Sequence, residues 1–254
     1  MDTGLLLTML IVVGGVQLVL RAARPTAVDR AQLVELFWTP VVVGMIGARL
    51  VFVLLDHPAS VFRIRDLMVV RAGMEFWAGV AVALVWVLAR ARRSVDRSEA
   101  MVKLAAAAPY LLIGVALFEV SCLVRDGCLG PVATVGLVPR GLHSTMVPVG
   151  LLVAGALSLA AAVLGRARTL APGQTVLWAF VGLGGVRLVA SWFLPAFGPS
   201  RVERESLLVF VLAASGLVWV TARRHIAHIA GGAIPDATSR RADVFTDEGE
   251  ASEP

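Results

Sequence analysis

The chain of 254 residues is 58% hydrophobic and only 16% charged, and its mean hydropathy is strongly positive. A soluble core of this size needs no such excess, so lipid is the solvent this composition implies. The net charge of +5 reads as orientation signal and attraction to anionic lipid headgroups, and no nucleic-acid partner follows from it.

The apolar residues fall into seven runs, at roughly 4–20, 35–55, 69–89, 104–124, 146–164, 175–193 and 205–222. Each is close to the ~20 residues that a helix needs to cross ~30 Å of hydrocarbon. The runs are continuous, whereas barrel strands alternate in polarity, so the expected fold is an all-α polytopic membrane protein with seven transmembrane helices. The first run follows Met1-Asp2-Thr3, a flank without a basic residue, and Arg21, Arg24 and Arg30 come after it. That pattern marks a retained helix with its N-terminus outside, not a signal peptide. Arg90, Arg92, Arg93, Arg97 and Lys103 follow the third run, Arg166 and Arg168 the fifth, Arg223 and Arg224 the seventh. The bias predicts a cytoplasmic C-terminus.

Cys122 and Cys128 lie near the outer end of run four. Their spacing is compatible with a disulfide on an oxidising face and equally with two thiols. The connection from Arg125 to Thr145 is rich in Gly and Pro, tolerable at membrane depth only where backbone lines a protein-enclosed or wet cavity. No repeat or inverted half points to a two-copy transporter. The seven-helix domain is expected to end near residue 230, with 231–254 a solvated, disordered cytoplasmic tail.

Ionisable residues within the runs need a reason, since each costs roughly 2.5–3.5 kcal/mol at mid-bilayer. They are Arg49 in run two, Arg71 and Glu75 in run three, Glu119 in run four and Arg187 in run six. Arg71 and Glu75 are four apart and share a helix face, so they are able to neutralise each other. Arg49 and Arg187 have no acid three or four residues away on their own helices and must face the bundle interior, paired with Glu119 or Glu75 or with an anionic ligand. A phospholipid phosphate is the obvious anion; interhelical bridges that only fix packing are the plain alternative.

Several segments, in order, resemble the prolipoprotein diacylglyceryl transferases, seven-helix bacterial membrane enzymes. Phe37-Trp38 through Gly47-Ala48-Arg49-Leu50 is similar to the family's second-helix stretch, and Gly73-Met74-Glu75-Phe76-Trp77-Ala78-Gly79 to its Gly-Gly-Met-Ser-Phe-His-Gly-Gly segment. Phe118-Glu119 through Gly127-Cys128-Leu129-Gly130 resembles the family signature; Pro139-Arg140 with His143-Ser144-Thr145 resembles the turn into helix five, and Gly185-Val186-Arg187-Leu188 the helix-six pattern. Arg49, Gly130, His143 and Arg187 keep the family residue. The family tyrosine falls on Thr3, its histidine on Trp77, its signature arginine on Glu119, its asparagine on Cys122, and a later glutamate on Ser191.

The resemblance implies a multi-pass protein of the bacterial plasma membrane that transfers diacylglyceryl from phosphatidylglycerol to the lipobox cysteine of a lipoprotein precursor. Such chemistry requires a cationic cradle for the departing phosphate and a means of forming thiolate. By matched position Arg187 holds the phosphate, Arg49, Arg140 and Gly130 support substrate binding, and His143 is a candidate proton acceptor, though a lone loop histidine is more often simply solvated. Glu119 reverses a charge where anionic lipid belongs, or pairs with Arg187 or Arg49 and keeps the site closed. Arg49, Arg187 and Glu119 are expected to share one outward-opening cavity, and no metal or cofactor is expected. An altered transferase, a catalytically degenerate relative that binds phospholipid or a membrane partner, and an unrelated membrane function remain as readings.

Overall fold

The structure, a computed structural model, describes residues 7, 10–23, 29–56, 75–93, 97–124, 128–139, 143–167, 169–193 and 201–232. A π-helical turn, Leu10–Gly14, leads into α1 (Gly15–Ala22). There follow α2 (Arg30–Asp56), α3 (Phe76–Arg93), α4 (Arg97–Leu123), a strand β1 (Val132–Leu137), α5 (Val149–Arg166), α6 (Pro172–Ser191) and α7 (Arg201–Gly232). Five of these are long and apolar enough to cross a membrane: Arg30–Leu55, Ser98–Leu123, Val149–Arg166, Pro172–Ser191 and Arg204–Arg223. The first and third apolar runs are represented by shorter helices, Leu10–Ala22 and Phe76–Arg90. Apart from Leu7 and Glu75, the N-terminal part of each of these two runs lies outside the described residues, as do Thr3, Arg71, Arg140 and residues 233–254.

Two compact units are distinguished, Met1–Ala214 and Ser215–Pro254. Within the first, α4 packs most extensively on α5, α2 on α3, and α6 on both α4 and α5. One core gathers Leu112 and Ala116 of α4, Leu157 and Ala161 of α5 and Leu183 of α6. A second joins Val16 and Leu20 of α1, Leu33 and Phe37 of α2 and Ala107 of α4. Outside these seams the helices expose large apolar residues, including Leu18, Ile46, Leu152 and Leu159. Continuous apolar surface of this kind belongs against acyl chains. In the second unit the Arg223 guanidinium lies 3.9 Å from the Trp219 ring, an aromatic and a cation at the point where the apolar run ends.

Without a hydrophobic force between helices in lipid, close approach decides which ones associate. A Cβ on Gly44 would stand 2.9 Å from the Gly79 carbonyl oxygen, and one on Gly79 would stand 2.9 Å from the Gly44 oxygen and from Ala48 Cβ. The backbones of α2 and α3 therefore touch. Arg90 and Glu35 form an ion pair across the same two helices at 2.6 Å; both side chains are mostly exposed, so it adds little.

The sequence predicts an irregular connection between runs four and five, and the structure differs there. Val132–Leu137 is extended, bridging antiparallel to Met146 from both ends, with the Ala133 N–H donating to the Thr145 carbonyl at 2.9 Å. β-branched Val132, Thr134 and Val135 favour such a ribbon. Gly136 passes so close that a Cβ would overlap the Met146 carbonyl at 2.1 Å. Because Met146 is taken into this pairing, α5 begins only after Pro148.

Candidate functional site

The C-terminal turn of α4 ends in Phe118-Glu119-Val120-Ser121-Cys122. Buried Ser121 turns its hydroxyl back onto the Phe118 carbonyl at 2.7 Å, leaving Glu119 to face α6. There Arg187 donates from a terminal guanidinium nitrogen to Glu119 Oε1. The two side chains are only 14% and 10% exposed, so each neutralises a charge that would otherwise be costly in a low-dielectric setting. Phe76, at the start of α3, places its ring 3.5 Å from the Arg187 guanidinium carbon. A face-on cation–π contact in a desolvated site is worth about 2 kcal/mol or more. The guanidinium plane is thereby fixed by an aromatic on one face and a carboxylate at one edge. Its Nε, also buried, has no hydrogen-bond partner among the described residues.

Cys122 and Cys128 are joined in a disulfide with Cα atoms 5.8 Å apart, which decides between the two states the spacing allows. Cys128 adopts φ 56°, a left-handed conformation that costs a non-glycine residue roughly 1–2 kcal/mol and persists because its surroundings hold it. Its Sγ lies 3.7 Å from Glu119 Oε2. A disulfide sulfur carries no proton, so this contact is not a donated hydrogen bond. Gly150 closes the wall: its N–H donates to the Cys128 carbonyl at 3.0 Å, and a Cβ there would stand 2.8 Å from the Glu119 carbonyl. Gly130 does the same from the loop, donating to the Val147 carbonyl at 2.8 Å where a Cβ would meet Val149 at 2.6 Å.

These residues surround a cleft of about 150 Å³ whose walls include Glu119, Arg187 and Cys128, with Phe118 and Val153 as apolar lining. Of the residues predicted for the site, Glu119 and Arg187 are brought together and Gly130 shapes the adjoining loop. Arg49 does not line this cleft; it is buried on α2, its guanidinium 5.6 Å from the Phe52 ring. Of the three residues expected to share one cavity, Arg187 and Glu119 line this cleft and Arg49 is not among its lining residues. His143 is exposed on the loop before α5 and is not part of the cleft wall. Arg140 lies outside the described residues.

Trp77, on the family histidine position, is buried and donates from Nε1 to Ser206 Oγ of α7 at 3.0 Å. It is a packing and tethering group here. Ser191, on the family glutamate position, turns its hydroxyl to the Leu188 carbonyl at 2.6 Å. Sequence reasoning does not single out Phe76, Gly150 or Cys128 for the site. Phe76 and Cys128 stand inside segments that resemble the family, and Gly150 carries a local signal, a glycine two residues past a proline at a helix start, where a backbone is free to approach closely.

No curated protein matches the chain. The prolipoprotein diacylglyceryl transferase family matches over residues 4–221, almost the entire helical part. With its apolar helices, a buried arginine on α6 and the order of motifs from Arg49 to Arg187, the chain belongs to the prolipoprotein diacylglyceryl transferase family.

Proposed function

We propose that this multi-pass membrane protein binds a phospholipid at the Arg187 cleft and transfers its diacylglyceryl group to a thiol, phosphatidylglycerol and a lipobox cysteine being the pair the family pattern implies. The observation that carries the reading is Arg187 itself, a buried guanidinium on the family's helix-six position, beside a cleft at the end of α4. Arg187 receives the phosphate, Arg49 and Arg140 supply further positive charge, and Gly130 keeps the loop close. His143, exposed beside α5, is the candidate proton acceptor. Family membership supports lipoprotein-precursor signal peptides as partners and the bacterial inner membrane as the location, with the N-terminus outside and residues 231–254 as a cytoplasmic tail.

The Glu119–Arg187 pair favours a second reading, a degenerate relative that binds phospholipid or a membrane partner without turnover. An anion reaching Arg187 must displace a carboxylate that then stays buried and unpaired, a cost of about 3–5 kcal/mol. Losing one positioned donor or base slows catalysis by ~100-fold or more, and here the matched tyrosine, histidine, arginine and asparagine are all replaced.

The test uses purified protein, phosphatidylglycerol vesicles and a lipobox peptide, with thioether formation followed by mass spectrometry. Wild type is expected to react at least ~100-fold more slowly than a family member with all matched residues intact, and Arg187→Ala to abolish what remains. Transfer at the full family rate would remove the degenerate reading; transfer indifferent to Arg187→Ala would remove the assigned site.

A further inference from the structure

The wall of the cleft contains a bond that ordinary thiol chemistry breaks and remakes. Cys128 lines the cleft, and Cys122 and Cys128 are both only partly buried. They stand six positions apart, and closing a short loop constrains the unfolded chain less than closing a long one, so opening this bond forfeits less stability. Accessible disulfides are the ones that exchange with thiols. The bond acts on the site through one contact. Cys128 Sγ lies 3.7 Å from Glu119 Oε2, while Glu119 Oε1 accepts from Arg187. In the disulfide that sulfur has no proton. As a thiol it has one, and it donates to the carboxylate from where it stands. The Cys128 carbonyl accepts from the Gly150 N–H at 3.0 Å, which keeps the residue against α5 when the sulfurs part. An anion that takes Arg187 must displace Glu119, and a buried carboxylate left without its partner resists that displacement. The thiol keeps one donor on the displaced carboxylate; the disulfide keeps none.

We propose that the Cys122–Cys128 disulfide is a redox switch on the Arg187 site, opened by a dithiol, and that the reduced protein lets a phospholipid phosphate displace Glu119 from Arg187. A thiolate of the dithiol bonds one sulfur of the pair; the Cys122–Cys128 bond breaks, and the other sulfur leaves as a thiolate that takes up a proton. The reductant's second thiol then attacks its own first sulfur, frees the captured cysteine and closes the reductant's disulfide. Two electrons and two protons have passed from the dithiol to the cysteine pair. The oxidised state is the closed one, with Glu119 committed to Arg187. Cys128 thereby gates a site it does not itself fill, and Glu119, on the family's arginine position, is the group through which the gate acts. The proposal rests on the phospholipid reading above but not on turnover.

The experiment takes the whole protein in detergent with added phosphatidylglycerol, either oxidised or reduced with dithiothreitol. Retained lipid is read by native mass spectrometry, and thiols are counted in a parallel aliquot by the mass added with a maleimide. Reduced wild type is expected to show both cysteines labelled and to retain about ten-fold more lipid than the oxidised protein, the effect of one hydrogen bond to a charged acceptor. Reoxidation with diamide is expected to reverse the gain, a comparison that needs no variant to fold. Arg125 and Asp126, outside the described residues, are the same in both states, so the difference reads the bond. Glu119→Gln is expected to retain lipid at the reduced level in either state. Equal retention in the two states, weaker retention on reduction, or a bond that dithiothreitol fails to reach in the folded protein overturns the switch. So does a redox effect that survives Glu119→Gln. If Arg187→Ala loses lipid in both states, those outcomes leave the phospholipid site standing; retention indifferent to Arg187→Ala overturns site and switch together.

Discussion

Trp77 illustrates how a residue in a catalytic position is turned into a structural one. Its indole N–H reaches Ser206, which is fully buried, so the tryptophan's one polar atom is satisfied and its large ring fills the interior between α3 and α7. Trp77→Phe keeps most of the ring but orphans the Ser206 hydroxyl. The expected outcome is a loss of about 1–3 kcal/mol in stability, read as a lower thermal midpoint in detergent, with Trp77→Phe/Ser206→Ala recovering part of it. Equal stability of Trp77→Phe and wild type would show that the hydrogen bond contributes nothing. The loss of the family histidine at this position is plain from sequence alone. That the replacement is bonded to a residue 129 positions away is not, because no periodicity links α3 to α7.

The elements are held by glycines at a few points of contact. Gly44 and Gly79 bring α2 and α3 into backbone contact, and small residues are what allow such approach in lipid. Gly79→Val forces the helices apart and is expected to cost roughly 1–3 kcal/mol or more. Gly155 on α5 faces open space, with nothing within 4 Å of the point a Cβ would occupy, so Gly155→Ala is expected to be neutral or to stabilise by about 0.5–1 kcal/mol through helix propensity and chain entropy. Thermal unfolding of the two variants in the same detergent checks both. A milder effect at Gly79 than at Gly155 would refute the contact. The helices are legible from continuous hydropathy but many of their ends are not: α4 begins at Arg97, seven residues before the apolar run, and α7 continues to Gly232, ten residues past it. The strand Val132–Leu137 is not, since a short Gly- and Pro-flanked segment reads as loop until a partner, here Met146, supplies its pairing.

For the whole molecule, the predicted orientation follows from arginine bias rather than from packing. A reporter fused after Arg224 is expected to be active in the cytoplasm and silent in the periplasm; the reverse result would invert every span. The reporter also tests the side on which the Cys122–Cys128 disulfide lies, since the expected orientation assigns both cysteines to the outer face. Solvent preference, helical class and the requirement that Arg49, Glu119 and Arg187 avoid lipid are all determined by the sequence, because burial of a charge in hydrocarbon is a cost each residue carries wherever its helix goes. Which charges meet is decided only in three dimensions. Glu119 and Arg187 are 68 residues apart, and their contact depends on Gly150 letting α5 lie against the Glu119 backbone, on Ser121 turning back along α4, and on Phe76 fixing the guanidinium face. Arg49, equally charged and equally intolerant of lipid, is buried on α2 beside the Phe52 ring, a placement the sequence leaves open, since a helix fixes a residue's height in the membrane but only its neighbours fix the direction in which the side chain points.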